Sequence, residues 1–136
     1  MTTDTNTPGT AWMQIVKKKG TSDFATSFTA DASLQTSALS KAVVGPTLIG
    51  AFFAATSKMY EHFVFTAETI DGAKTYLEWE GIYAGKSVAG ATLLTRNESG
   101  LINNIKLFQS PFLVVREFSS GLKERLEGTL CQDFFS

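Results

Sequence analysis

Three titratable side chains are the candidates for acid and base chemistry in this sequence. His62 is the only histidine, and Glu78 and Glu80 stand two residues apart in YLEWEGIY. A histidine can exchange protons near neutral pH, and two neighbouring carboxylates can divide the acid and base roles between them. The alternative for His62 is a position at the rim or surface, and the alternative for the glutamates is the solvated face of a sheet.

Composition argues against several other classes of site. The lone Cys131 allows neither an intrachain disulfide nor a cysteine-based metal cluster, and we expect no metal and no cofactor. Twelve Lys and Arg against thirteen Asp and Glu give a net charge of -1, which argues against a nucleic-acid partner. The run AVVGPTLIGAFFAA is broken by Pro46 and is too short to span a membrane. The first residues lack the pattern of a signal peptide, so we expect a cytoplasmic protein with no membrane partner.

The glutamates lie in a stretch, Thr75 to Gln109, whose apolar and β-branched runs predict three antiparallel strands. Turn residues at Gly85-Lys86 and at Asn97 to Gly100 separate the runs. This spacing predicts that Trp79 faces Thr92, Leu77 faces Leu94, Thr92 faces Ile105 and Gly90 faces Leu107.

Side-chain alternation along these strands separates two faces. The first face is apolar with isolated uncharged polar groups, so it can be buried without stranding a charge; it carries Leu77, Trp79, Thr92, Leu94, Ile105, Leu107 and Gln109. The second face carries Glu78, Glu80 and Lys106, with Glu80 and Lys106 flanking Ala91. This outer face is also rich in apolar residues, which indicates a partner surface. We therefore expect a homodimer through Ile82, Ala91, Leu93, Ile102 and Phe108.

The rest of the chain is predicted to cover the inward face of the sheet. Residues 1–9 are Thr-rich and polar and are expected to be disordered, with a single domain over 10–136. Helices are predicted at Thr10 to Lys19, from Ser22 to Ala30 or Asp31, from Pro46 onward and after Pro111. Short strands are predicted at Ala32 to Ser37, Ala42 to Gly45 and His62 to Thr69.

This order of elements, with the segments FTADASLQT, GPTLIGAFF, YLEWEGIYAG and TLLTRNESGLINNIKLF, resembles the nuclear transport factor 2-like superfamily and its SnoaL-like proteins. The resemblance implies an α+β roll in which a strongly curved mixed or antiparallel sheet wraps around the helices as a cone with a pocket. It also implies a homodimer through the outer sheet face, as in ketosteroid isomerase-like and polyketide cyclase-like relatives. Placed against the isomerase pattern, the general base falls on Thr36, the oxyanion-binding tyrosine on Trp12 and the protonated acid on Thr92. Threonine cannot abstract a proton as a carboxylate does.

Two main functions follow from the resemblance. The first is a binding protein without assigned catalysis, whose pocket takes a small, mostly apolar metabolite. The alternative is a cofactor-independent isomerase, cyclase or dehydratase that uses His62 or a glutamate as base. A third possibility is a dimerisation module with a filled core. The expected pocket residues are Trp12, Phe28, Thr36, Phe52, Leu77, Trp79, Thr92, Ile105, Leu107 and Gln109.

Overall fold

The computed structural model describes residues 8–19, 23–130 and 132–135. Its helices and strands, in chain order, are α1 (Thr10–Val16), β1 (Phe28–Thr36), β2 (Val43–Val44), α2 (Pro46–Thr56), β3 (His62–Asp71), β4 (Lys74–Tyr83), β5 (Lys86–Arg96), β6 (Ile102–Ser110) and α3 (Phe112–Arg125). Single 3-10 turns span Phe24–Ser27 and Gln132–Phe135. Most of the segment expected to be disordered, residues 1–7, lies outside the described residues. Gly9 is buried, and its N–H donates to Glu68 Oε1 at 3.1 Å.

The six strands form one mixed sheet in the order β2-β1-β6-β5-β4-β3. Neighbouring strands are antiparallel except β1 and β6, which run parallel. Register shifts interrupt three of the pairings, and β-bulges of this kind bend a strand and increase its twist. The predicted α+β class with a mixed sheet is confirmed. The sheet ends at β2 and β3, so it is open and does not close into a barrel.

The register predicted for the β4–β5 hairpin was wrong by two residues. Its central turn residues are Ala84 and Gly85, with φ of 51° and 77°. A two-residue type I′ turn requires positive φ at both central positions, and these two residues meet that requirement. Trp79 therefore pairs with Gly90 and Leu77 pairs with Thr92. A shift of two residues leaves each side chain on its predicted face.

The pairing of β5 with β6 was also predicted two residues away from the observed register. Thr92 pairs with Leu107, and Leu94 pairs with Ile105. A register irregularity beside Thr95 and Arg96 makes Arg96 pair with Ile102 and leaves Asn103 unpaired. One extra residue reverses the direction of the side chains beyond it. Ile102 is accordingly only 1% exposed, so its assignment to the outer face was wrong.

The helical predictions had mixed outcomes. Helices α1, α2 and α3 form where they were expected, with Pro46 at the first position of α2, but α1 ends at Val16 and not at Lys19. The helix predicted up to Ala30 or Asp31 was wrong: a short turn ends at Ser27 and β1 begins at Phe28, which is buried at the parallel pairing with β6. Tertiary pairing outweighs local helix propensity there. The proposed cap, Ser22, lies outside the described residues.

The core lies between the inward face of the sheet and the helices. Its fully buried side chains come from every layer and include Leu34, Ile49, Phe52, Leu77, Leu94, Ile105, Phe118 and Leu122. Gly50 lets α2 approach Phe24, since a Cβ at that position would lie 3.3 Å from the Phe24 ring. Within the described ranges, no helix has both the length and the hydropathy needed to cross a membrane.

Candidate functional site

A cavity of about 210 Å³ lies between the inward face of the sheet and the first two helices. Strands β3 to β6 form its floor and one wall, and α1, α2 and the segment after α2 cover it. Its lining consists of Trp12, Met13, Val16, Phe52, Phe53, Thr56, Ser57, Tyr60, Phe63, Phe65, Trp79, Thr92, Leu107 and Gln109. Met13 and Ser57 are exposed, so the cavity reaches the surface between α1 and the end of α2.

Seven of the fourteen residues that line the cavity are aromatic. Phe63 stacks on Trp79 with ring centroids 4.8 Å apart, and Tyr60 meets the same indole edge-on at 5.7 Å. On the opposite side, Trp12 contacts Phe53 edge-on at 5.4 Å. These pairs adopt the offset or perpendicular geometries that aromatic quadrupoles favour. The wall is therefore apolar and held in place by mutual packing.

A chain of hydrogen bonds runs behind one end of the cavity. Thr36 Oγ1 accepts the N–H of Ala38 at 3.2 Å and donates to Gln109 Oε1 at 2.8 Å. Gln109 Nε2 in turn donates to the Tyr60 hydroxyl at 3.1 Å. Thr36 thus orients the Gln109 amide, and the amide positions the hydroxyl of Tyr60.

The indole of Trp79 carries a polar atom that is fully buried. Trp79 is only 3% exposed, and its Nε1 is buried without a hydrogen-bond partner among the described residues. Its ring lies over Gly90, where an added Cβ would be 2.5 Å from Cζ2 and 2.8 Å from Cε2. The missing side chain at Gly90 is what leaves room for the indole at this position.

Tyr60 lines the cavity, and the pKa of its hydroxyl differs from the ordinary value for tyrosine. Burial raises the pKa of its hydroxyl well above the ordinary value of 10.0, and the hydrogen bond from Gln109 offsets part of that rise. The hydroxyl therefore stays protonated and neutral throughout the physiological pH range.

The structure brings six of the ten expected pocket residues to the cavity: Trp12, Phe52, Trp79, Thr92, Leu107 and Gln109. The other four lie elsewhere. Phe28, Leu77 and Ile105 are packed in the core, and Thr36 lies behind Gln109, to which it donates. Ligand binding by any of these residues stays a prediction.

The three candidate acids and bases do not lie at the cavity. His62, Glu78 and Glu80 are exposed, and the two glutamates alternate with the inward-facing Trp79 on β4. Among the described residues, those that line the cavity include no Asp, Glu, His, Lys or Arg. The same part of the chain contains no group of three or more His, Cys, Asp or Glu side chains arranged to hold a metal ion.

Several lining residues were missed from the sequence, above all Tyr60. It lies beyond the C-terminus of α2, yet it continues the spacing of Phe53 and Thr56 by one further turn, and this was the available signal. Phe63 and Phe65 were likewise marked by alternation along β3. Val16 follows Trp12 by four residues on α1, which places the two side chains on one helix face.

Comparison with known proteins identifies the fold. A bacterial protein with a cystatin-like fold from Silicibacter pomeroyi superposes with a TM-score of 0.78 at 21% identity, covering 90% of this chain and 87% of its own. A steroid delta-isomerase from Pseudomonas aeruginosa gives 0.76 at 15% identity, with coverage of 87% and 88%. A protein with a ketosteroid isomerase-like fold from Catenulispora acidiphila, solved in complex with trimethylamine, gives 0.58 at 23% identity, with coverage of 84% and 94%.

The sequence comparisons add no closer assignment, since no family model and no curated protein matches the chain. NTF2-like and SnoaL-like proteins are among the further structural matches, also at low identity. Likeness at this level of identity establishes the fold alone. The chain therefore has the α+β fold of the nuclear transport factor 2-like proteins, which the SnoaL-like and ketosteroid isomerase-like structures share.

Proposed function

We propose that this protein binds a small, mostly apolar metabolite in the cavity between α1, α2 and the sheet. The observation that carries the proposal is a preformed, aromatic-lined cavity that reaches the surface and has no charged side chain in its described lining. Small-molecule sites are typically concave and apolar, with a few placed polar groups. Here Tyr60, Thr92 and Gln109 are the residues of the lining that carry such groups.

The cavity volume limits the size of the ligand. A cavity of about 150 Å³ holds benzene in an engineered protein core. By that standard, the present ≈ 210 Å³ accommodates a monocyclic compound of about eight to ten non-hydrogen atoms. A four-ring steroid is much larger than this space. The complex of a ketosteroid isomerase-like protein with trimethylamine supports the use of this fold for small ligands.

The alternative is a cofactor-independent isomerase, cyclase or dehydratase. Such an enzyme needs an acid or base within hydrogen-bond reach of the reacting atoms. Glu78 and Glu80 are exposed on the outer side of β4, and His62 is exposed at the start of β3. Tyr60 does line the cavity, but its raised pKa keeps the proton on its oxygen. These positions favour binding over proton-transfer catalysis.

The binding proposal can be tested with a neutral hydrocarbon probe. Both tryptophans of the protein, Trp12 and Trp79, line the cavity, so their fluorescence reports directly on its occupation. We expect α-methylstyrene to bind saturably and to change the tryptophan emission. Failure to bind this probe, with the protein folded, would exclude an apolar-ligand cavity.

The outer sheet face supports a further proposal, that two copies of this chain associate through it. Phe108 is 56% exposed and Ile82 is 37% exposed on this face. Glu80 pairs with Ala89 and Lys106 pairs with Leu93, so these charges lie diagonally on either side of Ala91. A two-fold axis at Ala91 would bring Glu80 of one protomer to Lys106 of its partner, as a self-complementary interface requires.

A further inference from the structure

We propose that Thr92 determines the class of ligand: its hydroxyl forms a hydrogen bond to one neutral oxygen atom, of a carbonyl or a hydroxyl group, on an otherwise apolar molecule in the cavity. The inference rests on the proposed function of the cavity and specifies what that cavity binds.

Thr92 is a buried threonine whose hydroxyl has no hydrogen-bond partner. It lies on β5 and is 3% exposed, and its hydroxyl bonds to no other residue in the part of the chain that the structure describes. Buried hydroxyls are nearly always paired in folded proteins, because an unpaired one loses its hydrogen bonds to water. The other threonines that are less than a tenth exposed are all paired through their hydroxyls: Thr36, Thr56 and Thr75.

The hydroxyl oxygen of Thr92 is accessible from the cavity. Among the described residues, Thr29 Oγ1 and Trp79 Nε1 are the side-chain atoms that are both unpaired and fully enclosed by protein. The Thr92 oxygen is also unpaired but is not enclosed in this way, so part of its surface is open. Thr92 lines the cavity and points inward from a strand that has β4 on one side and β6 on the other. Its open surface therefore faces the cavity.

The neighbours of Thr92 on the inward face of the sheet cannot supply a side-chain partner. Thr92 pairs with Leu77 on β4 and with Leu107 on β6. The residues two positions away along β5, which share its face, are Gly90 and Leu94. None of the four has a polar side-chain atom, so the partner of the hydroxyl has to come from the cavity.

The other polar side chains of the lining are engaged elsewhere. Gln109 Nε2 donates to the Tyr60 hydroxyl at 3.1 Å. The hydroxyls of Thr56 and Ser57 donate to carbonyl oxygens of α2, at 3.4 Å and 3.2 Å. Thr92 is thus the residue of the described lining whose polar group has both open surface and no partner. This arrangement favours a ligand with a single polar atom.

The surroundings favour a neutral oxygen over an anion. Among the described residues that line the cavity, none carries a charge, and burying an anion without a counter-charge is strongly unfavourable. A threonine hydroxyl can donate to a carbonyl oxygen, and it can donate to or accept from an alcohol. Both kinds of neutral oxygen therefore fit this position.

The test compares acetophenone, which has a carbonyl oxygen, and 1-phenylethanol, which has a hydroxyl, with α-methylstyrene, which has a methylene group in place of the oxygen. Because the probes differ in their affinity for water, the measured quantity is the ratio of each dissociation constant to that of α-methylstyrene, obtained by calorimetric titration. Thr92→Val removes the hydroxyl and keeps the branched shape. We expect it to weaken binding of the oxygenated probes relative to α-methylstyrene by about fivefold, the effect of one net hydrogen bond.

Two further variants control for changes in packing. Thr92→Ser keeps the hydroxyl and should retain the wild-type ratios. Thr75→Val is the matched control, because Thr75 is a buried threonine on the neighbouring strand β4 that does not line the cavity. Its hydroxyl accepts a hydrogen bond from Arg96 Nη1 at 2.9 Å, and its replacement should leave the ratios unchanged.

Different outcomes overturn different parts of the account. Ratios that stay the same in Thr92→Val for both oxygenated probes, or that change equally in Thr75→Val, would overturn the inference and leave the proposed function standing. A change for one of the two probes would support the inference and identify the kind of oxygen bound. Tighter binding of benzoate than of acetophenone would overturn the choice of a neutral ligand. Failure of all the probes to bind the folded protein would overturn the proposed function and the inference with it.

Discussion

The indole of Trp79 lies over Gly90, its partner on the adjacent strand β5. A Cβ at Gly90 would meet the indole at 2.5 Å and would also collide with the carbonyl oxygen of Phe108. The position of the ring that forms one wall of the cavity therefore depends on a missing side chain on the neighbouring strand.

Gly90→Ala should displace this indole. We expect the variant to lose about 1–3 kcal/mol of unfolding free energy through overpacking, with weaker binding of α-methylstyrene. Urea unfolding and fluorescence titration measure the two effects. In a Trp12→Phe background the emission comes from Trp79 alone. If adding Gly90→Ala to this background changed neither the emission spectrum nor the affinity for the probe, the described packing would be contradicted.

The buried hydroxyl of Tyr60 predicts a specific loss of stability at alkaline pH. Its pKa is raised in the folded state, so above about pH 10 the unfolded chain releases a proton that the folded chain retains. The unfolding free energy should therefore fall with rising pH, by up to about 1.4 kcal/mol per pH unit from this group. The effect is absent below that pH.

The measurement for Tyr60 is chemical unfolding between pH 8 and roughly 11, with Tyr60→Phe as the comparison. The variant should show a shallower decline, because phenylalanine does not titrate. Identical pH profiles for the two proteins would indicate that Tyr60 ionises normally in the folded state. Tyr76→Phe is a suitable control, since Tyr76 is 42% exposed.

The mouth of the cavity can be blocked from the surface. Ser57 is exposed and lines the cavity, whereas the adjacent Lys58 is also exposed but lines a separate groove. Ser57→Phe should slow or prevent binding of α-methylstyrene by filling the opening. Stopped-flow fluorescence measures the association rate, and Lys58→Phe should leave it unchanged. Equal effects of the two substitutions would place the entrance elsewhere.

The proposed dimer makes a prediction about Phe108. Burying about 800 Å² per partner is typical of a stable interface, and Phe108 is the most exposed large apolar residue on the outer face of the sheet. Wild-type protein should sediment as a dimer at micromolar concentration, and Phe108→Asp should shift it to monomer. Phe112→Asp is the control, because Phe112 is 72% exposed at the start of α3. A monomeric wild-type protein would contradict the surface assignment.

Side-chain parity was the part of the fold that the sequence predicted best. Trp79, Thr92 and Leu107 occupy the inward face as expected, even though both hairpin registers differ by two residues. An even shift preserves the faces, which is why the cavity floor could be predicted without the correct pairing. The irregularity beside Arg96 shifts the strand register by one residue, and the side chain of Ile102 is therefore buried in the core.

The missed parts of the site depend on geometry that local patterns do not contain. Tyr60 follows a helix end, so its direction depends on how the chain turns into β3. The Tyr60 hydroxyl is oriented by Gln109, which lies 49 residues away in the sequence. Gln109 is in turn oriented by Thr36, from which it is separated by 73 residues. Whether the space beside Trp79 is filled or hollow likewise depends on how the helices pack against the sheet.

The most direct measurement of the central claim is a crystal structure of the protein at saturating α-methylstyrene. The account predicts density for one probe molecule between Trp12, Trp79 and Thr92, with the surrounding rings close to their described positions. Probe bound only elsewhere on the protein, or side chains filling that space in the presence of the probe, would contradict it.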